Sequence, residues 1–167
     1  MTRENKFKGK RLSDGEWVYG DLLHNVDCVK IREWEADVNQ IAKSYVVDEN
    51  TIGQYTGKND KNGDEIYSTH IIKVHQFLFD GSEYESELIG TVVYDNEYQA
   101  FCLTNIKHEG INKYMGYNKN EEAKNEIIPI CMFYGLHEES FEIIGNIHDN
   151  PELLMYHAAI TRKEREI

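Results

Sequence analysis

The segment TIGQYTGKNDKNGDEIY, residues 51–67, specifies its local conformation more tightly than any other part of the chain. It begins with alternating side chains, passes through the polar run KNDKNGDE and then returns to apolar residues. An Asn-Gly pair between two such runs is the strongest short-range signal for a β-hairpin, because glycine adopts positive φ without steric cost. The segment therefore predicts a hairpin centred on Asn62 and Gly63, whose path Gly53 and Gly57 also fix.

Strand patterns continue on both sides of this hairpin. The stretch KFKGKRLSDGEWVYGDLL, residues 6–23, predicts another hairpin that turns at Asp14 and Gly15. Further strands are predicted for VDCVKI (26–31), IYSTHIIKVHQFLF (66–79), LIGTVVY (88–94), YQAFCLT (98–104), IIPICMF (127–133) and SFEIIGNI (140–147). Pro129 has no backbone N–H, so it favours an edge position for its strand.

Helical patterns are confined to two segments. The clearer helix follows Asn150, which is predicted to cap it, while Pro151 occupies the first turn. A short helix is also predicted where apolar residues recur at helical spacing, although SYVV (44–47) at its end looks extended. The members of this stripe are Trp34, Val38, Ile41, Ala42 and Tyr45.

Together these elements predict a mainly β (α+β) fold. We expect a hairpin-rich N-terminal subdomain over residues 1–67, a small barrel-like β subdomain over residues 68–150 and a C-terminal helix over residues 151–167. The polar segment 105–126 is longer than a plain connection, so it is predicted to be an insertion with a short helix near 121–126. The aromatic residues expected to pack internally or to form an interface are Trp17, Tyr19, Tyr55 and Tyr67.

Composition narrows the class of protein. Of the 167 residues, 40% are hydrophobic and 29% are charged, which is ordinary for a soluble globular protein. No apolar run approaches the length of a membrane span, and the charged start MTRENKFKGKRL is unlike a secretory signal. We therefore expect a cytoplasmic protein that does not bind membranes. Its three widely spaced cysteines are expected to be reduced.

The formal net charge of −12 argues against nucleic acid as a partner, because phosphate contacts need clustered Lys and Arg. Basic residues cluster only near the two ends, whereas acidic residues are spread across the middle and the C-terminal third. We interpret this acidity as a solvated surface. The alternative is an acidic face that binds a basic host protein or mimics DNA.

Motifs for chemistry are missing or incomplete. The chain contains no phosphate-binding GxxxxGK[ST], no GxSxG and no HExxH. Asp60, Asn62, Gly63 and Asp64 match only part of a calcium loop, because the glycine comes too early and no distal glutamate follows. We predict no catalytic residues, no metal ligands and no cofactor.

Three blocks of this sequence resemble the YopX family of phage and prophage proteins. They are KFKGKRLSDGEWVYGDLL, TIGQYTGKNDKNGDEIY and FEIIGNIHDNPELL, and they occur in the order typical of the family. The resemblance implies a β-rich fold, self-association into a homo-oligomer and an origin in a phage or prophage, and it brings no catalytic residues. This chain departs from the pattern after Tyr67, where Ser68, Thr69 and His70 stand in place of Glu-Gly-Asp.

Three hypotheses for function follow. The first is a phage or prophage accessory protein, acting in the bacterial cytoplasm, that binds itself and a host or phage protein rather than catalysing a reaction. The second is a cryptic metal-assisted hydrolase that uses some of His70, His75, Asp60 and Asp64. The third is a small barrel that binds nucleic acid through the basic N-terminal strand.

Overall fold

The computed structural model of this chain describes residues 4–34, 42–79, 83–109, 126–133 and 140–154. The side chains of residues 76–79, 83–86 and 108–109 also lie outside the description. The chain forms two units. Unit 1 comprises Met1–Lys58 and Glu65–Thr69, and unit 2 comprises Asn59–Asp64 and His70–Ile167.

Unit 1 is built on a six-stranded sheet with the strand order β4-β3-β2-β1-β5-β6. The strands are β1 (Phe7–Lys10), β2 (Trp17–His24), β3 (Val29–Arg32), β4 (Ser44–Val46), β5 (Gly53–Asn59) and β6 (Glu65–Tyr67). The hairpin between β1 and β2 is confirmed, and Gly15 in its turn has a φ of 75°. The Asn-Gly hairpin is confirmed as well, since β5 and β6 are neighbours joined by residues 60–64.

Strand β1 is central to this sheet. One of its edges pairs with β2, and backbone hydrogen bonds to residues 46–48 and to β5 occupy the other. Leu12 N–H donates to the Val46 carbonyl (3.0 Å), and Asp48 N–H donates to the Lys10 carbonyl (2.9 Å). Further along, Tyr55 N–H donates to the carbonyl of Lys6 (2.9 Å). One face of the sheet buries a small aliphatic core of Val18, Val29, Ile31 and Val47, against which Phe7, Leu22, Tyr45 and Ile52 pack.

Two predictions for this region are wrong. The long strand predicted over residues 66–79 is two strands in different sheets, because the chain turns at Ser68 and at Thr69, whose φ is 80°. Tyr45, the last member of the predicted helical stripe, lies in β4 rather than in a helix. Its pairing with Ile31 decides the local structure in place of the helical spacing. Trp34 and Ala42, two further members of the stripe, are not helical either, and residues 35–41 between them lie outside the described residues.

Unit 2 is built on a five-stranded sheet with the order β10-β9-β8-β7-β11. The strands are β7 (His70–Phe79), β8 (Glu83–Asp95), β9 (Ala100–Glu109), β10 (Ile128–Pro129) and β11 (Phe141–Asn146). The paired strands run antiparallel. A bulge at Asn105, with a φ of 51°, lets both Leu103 and Ile106 point into the interior, although they are three residues apart.

The mainly β fold is confirmed, with corrections to its second half. The five strands form an open sheet with two edges, and the described part of the chain contains no closed barrel. β9 continues to Glu109, so residues 105–109 belong to a strand rather than to the predicted insertion, and residues 110–125 lie outside the description. The strand predicted for IIPICMF is only β10 followed by the 3-10 helix Ile130–Phe133. Pro129 lies in an edge strand as predicted.

The C-terminal helix is described only at its start, where residues 152–154 are helical. The remainder of the predicted helix, from residue 155 onward, lies outside the described residues. Among the described helices, none has the length and apolar character that crossing a membrane requires.

Candidate protein-interaction face

One face of the unit 1 sheet gathers aromatic rings and lysines. Strand pairing places Lys8 opposite Tyr19 and Lys10 opposite Trp17. Side chains alternate between the two sides of a strand, so these four lie on the opposite side from Val18 and the aliphatic core. We call this the aromatic–lysine face, and it comprises Lys6, Lys8, Lys10, Trp17, Tyr19, Tyr55, Glu65 and Tyr67.

Lys8 lies inside this face rather than on its surface. Its side chain is 1% exposed, and its Nζ atom is 4.3 Å from the centroid of the Trp17 ring and 5.8 Å from that of Tyr67. An ammonium group over an aromatic ring is attracted by the ring quadrupole, and the attraction grows when water is excluded. The lysine therefore fixes the positions of the two rings between which it lies.

Gly53 provides the space that Lys8 occupies. A Cβ atom at this position would clash with the Ser68 carbonyl oxygen and lie 3.2 Å from Lys8 Cε. The reason for glycine here is thus close approach, whereas Gly57, within β5, and Gly63, in the turn, adopt positive φ. Strand pairing places Gly53 directly opposite Lys8.

Tyr67 is the centre of the aromatic packing. Its ring centroid is 5.7 Å from that of Tyr19, edge to face, and 5.7 Å from that of Tyr55. Its buried hydroxyl donates to Glu65 Oε2 (2.6 Å). Burial, followed by this bond to Glu65, raises the pKa of Tyr67 far above its usual value, so the hydroxyl remains a hydrogen-bond donor.

Lys6 joins the aromatic rings to acidic side chains. Its ammonium group pairs with Glu65 and with Glu4 (2.6 Å), and it lies 5.4 Å from the Tyr55 ring centroid. Hydrogen bonds to Glu4 and then Glu65 raise the pKa of Lys6 well above its ordinary range. The charge of Lys6 is therefore balanced locally by two carboxylates.

The same side of the sheet continues into an exposed rim. Tyr19 and Trp34 are 44% and 45% exposed, and Lys6 Nζ lies 5.7 Å from the Trp34 ring. Asp21 accepts from Arg32 Nη2 (2.9 Å) and from Trp34 Nε1 (3.2 Å). The bond from Arg32 and the smaller contribution of Trp34 hold the pKa of Asp21 below its usual value. We call these four residues, Tyr19, Asp21, Arg32 and Trp34, the aromatic rim.

The four aromatic residues singled out from the sequence lie together on this face. Tyr67 is buried, Trp17 and Tyr55 are half-buried, and Tyr19 is exposed. Sequence reasoning missed Lys8 and Glu65, which tie the rings together. The alternation of lysines at 6, 8 and 10 against Trp17 and Tyr19 across a hairpin was a usable signal for Lys8, because cross-strand neighbours share a face.

Gly15 and Gly63, which lie in turns, and Gly57, which lies within β5, adopt conformations that favour glycine. Gly15, Gly57 and Gly63 have φ values of 75°, 86° and 85°. At Gly15 and Gly63 an added Cβ would have no neighbouring atom within 4 Å among the described residues, so backbone conformation alone disfavours a side chain there. The amide of Asn62 donates to Asp60 Oδ1 (2.8 Å).

Asp60 is the residue of this turn that sequence reasoning did not single out for its structural role. It is 2% exposed, and it belongs to unit 2. Its Oδ1 also accepts from Asp64 N–H (3.0 Å), and its Oδ2 accepts from Ile143 N–H (3.3 Å) in β11. Burial alone would raise the pKa of Asp60, but the backbone donors outweigh burial and lower it.

The same turn covers part of the outer edge of β11. Lys61 N–H donates to the Phe141 carbonyl (2.8 Å), and Lys61 Nζ pairs with Glu142 (2.8 Å). Strand β11 is an edge strand of unit 2, and unpaired groups on such an edge invite pairing with other chains. The 60–64 turn thus satisfies backbone groups that an open edge would expose.

At the C-terminal end of β11, the side chain of Asn146 organises the next turn. Its Oδ1 accepts from the backbone of His148 (2.9 Å) and Asp149 (3.0 Å). Asn150 Oδ1 lies 3.4 Å from Asn146 N–H, and the Asn150 carbonyl accepts from Leu153 N–H (3.1 Å). Pro151 follows at the start of the helical residues. The capping role of Asn150 stays a prediction.

The candidate residues for hydrolysis fall into separate arrangements. Asp60 and Asp64 share one turn, where Asp60 is occupied by backbone donors. His75 Nδ1 lies 3.6 Å from Glu87, which also pairs with Lys73 (3.2 Å). Within the described ranges, no three His, Cys, Asp or Glu side chains converge in a way that could hold a metal ion.

Comparisons with known proteins place the chain in a family. A family model described as YopX protein matches residues 6–155. Among solved structures, the protein EF1440 from Enterococcus faecalis is similar, with 19% sequence identity and a TM-score of 0.41 over 92% of this chain and 99% of that chain. No curated protein matches this chain. Because the family match covers most of its length, the chain belongs to the YopX family.

Proposed function

We propose that this protein is a phage or prophage accessory protein that acts by binding protein chains, and that its first partner is a second copy of itself. The proposal rests on the aromatic rim and on the family to which the chain belongs. The partner beyond a second copy would be a protein of the phage or of its bacterial host, in the cytoplasm of that host.

The observation that carries the proposal is the exposure of Tyr19 and Trp34 beside a packed aromatic interior. Tyr, Trp and Arg are the residues most enriched where protein interfaces gain their binding energy. An exposed ring whose position is already fixed loses little conformational freedom on binding, so its burial contributes more to affinity. Tyr19 is fixed in this way by its edge-to-face contact with buried Tyr67.

The charges of the rim suit a contact between identical copies. Asp21 and Arg32 form one ion pair on the exposed surface, at side-chain exposures of 42% and 47%. In a two-fold symmetric contact the same patch meets itself, so each Arg32 would approach the partner's carboxylate and each aspartate the partner's guanidinium. The Asp21–Arg32 pair can therefore face the same pair of a second copy without repulsion, whereas a surface with charges of one sign would repel its copy.

Nucleic acid fits this face less well. Lys8 is buried, and Lys6 is balanced by Glu4 and Glu65, so neither presents a free positive charge to phosphate. The chain as a whole carries a formal net charge of −12. Salt-sensitive retention of DNA by the wild-type protein would favour the nucleic-acid hypothesis instead.

Multi-angle light scattering of the eluting protein tests the proposal. We expect the wild type to elute with a mass of two or more chains and the Tyr19→Ala/Trp34→Ala variant to shift toward the monomer. The matched control is Leu12→Ala/Val26→Ala, which removes two exposed apolar side chains of unit 1 outside the rim and should leave the mass unchanged. A wild type that elutes as a monomer at every concentration overturns self-association. An oligomer unaffected by the rim variant overturns the role of the rim.

A further inference from the structure

The two units differ in charge. Unit 1 contains nine Lys and Arg against eleven Asp and Glu, a formal net charge of −2, whereas unit 2 contains nine against nineteen, a net charge of −10. Unit 2 therefore carries most of the negative charge of the chain. A surface of one sign attracts partners of the opposite sign and raises their rate of association.

Unit 2 also exposes apolar side chains at the end of its sheet where β8 turns into β9. Tyr94, the next-to-last residue of β8, packs edge to face on Phe101 (5.4 Å between centroids) and remains partly exposed. Tyr98 lies in the turn itself and is 53% exposed, and Met132 is 72% exposed. Such residues are enriched in the buried centres of protein interfaces.

Strand register brings Met132 to the same end of the sheet. Pro129 pairs with Cys102 in an antiparallel ladder, so the residues that follow Pro129 run toward Ala100 and the β8–β9 turn. The 3-10 helix Ile130–Phe133, which contains Met132, lies against β9. We call Tyr94, Tyr98 and Met132 the hairpin patch.

The hairpin patch has an acidic margin held in a fixed conformation. Asp95 Oδ1 accepts from the backbone of both Glu97 and Tyr98 (2.9 Å each), which closes the turn through a side chain. Gln99 completes the turn with a φ of 50°. Two carboxylates, Asp95 and Glu97, thus flank the exposed rings, and the backbone that carries them is already ordered.

We infer that the hairpin patch binds a cationic polypeptide segment with apolar anchors, the anchors lying on Tyr94, Tyr98 and Met132 and the Lys or Arg side chains facing Asp95 and Glu97. Methionine suits such a role because its unbranched, polarisable side chain adapts to different anchors. Charge complementarity selects the partner, since the patch lies in the unit whose net charge is −10. A second copy of this chain would bring a surface of the same sign to that margin, so self-association is assigned to unit 1 and this patch to a different protein.

Fluorescence titration with defined synthetic peptides tests this inference. The probe is a labelled amphipathic peptide of lysine and leucine, and the comparison peptides replace leucine by serine or lysine by glutamate. We expect the lysine–leucine peptide to bind most tightly, and the Tyr98→Ala/Met132→Ala variant to bind it about tenfold more weakly than the wild type. Leu12→Ala/Val26→Ala, with matching exposed apolar positions in unit 1, should bind it as the wild type does.

A variant that changes only charge separates the effect of the carboxylates beside the patch from the effect of the protein's overall negative charge. Glu97→Gln removes one carboxylate at the patch, and Glu16→Gln removes one from an exposed position of unit 1. We expect Glu97→Gln to weaken binding of the lysine–leucine peptide and to make its affinity less dependent on salt concentration than that of the wild type. Glu16→Gln should change neither.

Three other results would overturn the inference. Equal affinity of the patch variant and the wild type would mean unspecific attraction to an acidic protein, and no binding of the lysine–leucine peptide would mean no such site. A change of mass in light scattering caused by Tyr98→Ala/Met132→Ala, without a change in peptide affinity, would assign the patch to a second copy. Self-association through the aromatic rim is measured separately as mass, so either proposal can fail alone.

Discussion

The two units bury their sheets with different chemistry. Unit 2 fills its interior chiefly with aliphatic side chains, of which Ile71, Ile72, Val74, Val92 and Leu103 are fully buried, together with the buried rings of Phe101, Phe133 and Phe141. Unit 1 has a smaller aliphatic core on one face and the aromatic–lysine face on the other, where Lys8 is buried among rings. Aliphatic packing is stabilising without being directional, whereas rings with ammonium groups fix orientation and carry polar atoms to a surface. We therefore expect substitutions in the unit 2 interior to act chiefly on stability, and substitutions on the aromatic–lysine face of unit 1 to act also on the exposed aromatic rim beside it.

The largest expected effect tests the interior of unit 2. Phe141 is fully buried and packs edge to face with Phe133 at a centroid distance of 6.2 Å. Phe141→Ala should lower the free energy of unfolding by about 4 kcal/mol, because it removes a buried ring and leaves a cavity. Urea denaturation followed by circular dichroism measures this. Met132→Ala, at an exposed position of the same unit, is the control and should have little effect. A cost for Phe141→Ala as small as for the control would contradict the assignment of the unit 2 core.

The next effect compares a carboxylate in each unit. Asp60 in unit 2 is buried and accepts from three backbone N–H groups, whereas Asp21 in unit 1 is exposed. Asp60→Asn should cost about 2 kcal/mol, since the amide removes the buried charge and its NH2 group cannot accept the hydrogen bond that Ile143 N–H donates to Oδ2. Asp21→Asn should cost less than about 1 kcal/mol, because solvent screens its ion pair. Equal costs for the two substitutions would contradict the structural role assigned to Asp60.

The pH dependence of stability follows from the same carboxylate. The pKa of Asp60 is lowered in the folded protein, so its stabilisation is present above its unfolded value of about 3.9 and is lost as the pH falls through the folded pKa. The wild type should therefore lose stability on acidification more steeply than Asp60→Asn. Thermal unfolding over a pH series measures this, and parallel curves would contradict it.

A smaller effect should be the same in both units. Gly15 in unit 1 and Gly63 in unit 2 both have positive φ with space for a side chain among the described residues. Valine at either position should cost about 1–2 kcal/mol through backbone strain alone. Asparagine, which tolerates this conformation, should cost less at each position. Urea denaturation of the four variants measures the costs, and Gly63→Val as stable as the wild type would contradict the hairpin assignment.

The smallest effect concerns the end of unit 2. Asn150→Ala should cost about 1 kcal/mol if the side chain caps the last helix. Urea denaturation of this variant and of Asn146→Ala separates the contributions of the two side chains to stability, because Asn146 accepts two backbone hydrogen bonds in the preceding turn. A larger loss for Asn146→Ala, with none for Asn150→Ala, would assign the whole turn to Asn146.

Local turn chemistry made much of the fold predictable. Asp14-Gly15 and Asn62-Gly63 each predict the position of a hairpin turn, because glycine adopts positive φ without steric strain. The break after Tyr67 was not predictable in this way, since Thr69 adopts a φ of 80° without being glycine. Tyr45 fits a helical stripe by spacing, yet pairing with Ile31 in β3 places it in a strand. Pairing between distant strands decides the structure at such positions, and the spacing of residues along the chain does not reveal that pairing.

The candidate site was predictable only as a set of residue types. Trp17 and Tyr19 face the lysines of β1 across a hairpin, which sequence can anticipate. Tyr55 and Tyr67 reach the same face because β5 pairs with β1 and β6 follows β5, and this order is a property of the whole sheet. The burial of Lys8 depends on the space at Gly53, which no local pattern reveals.

Acrylamide quenching of tryptophan fluorescence at increasing protein concentration tests the central claim most directly. The chain has two tryptophans, half-buried Trp17 and exposed Trp34, so a change in quenching reports chiefly on the aromatic rim. We expect quenching of the wild type to fall as concentration rises and Trp34 becomes covered by another copy, and we expect no such fall in Trp34→Phe. Wild-type quenching that stays constant across the whole concentration range would contradict binding through the aromatic rim.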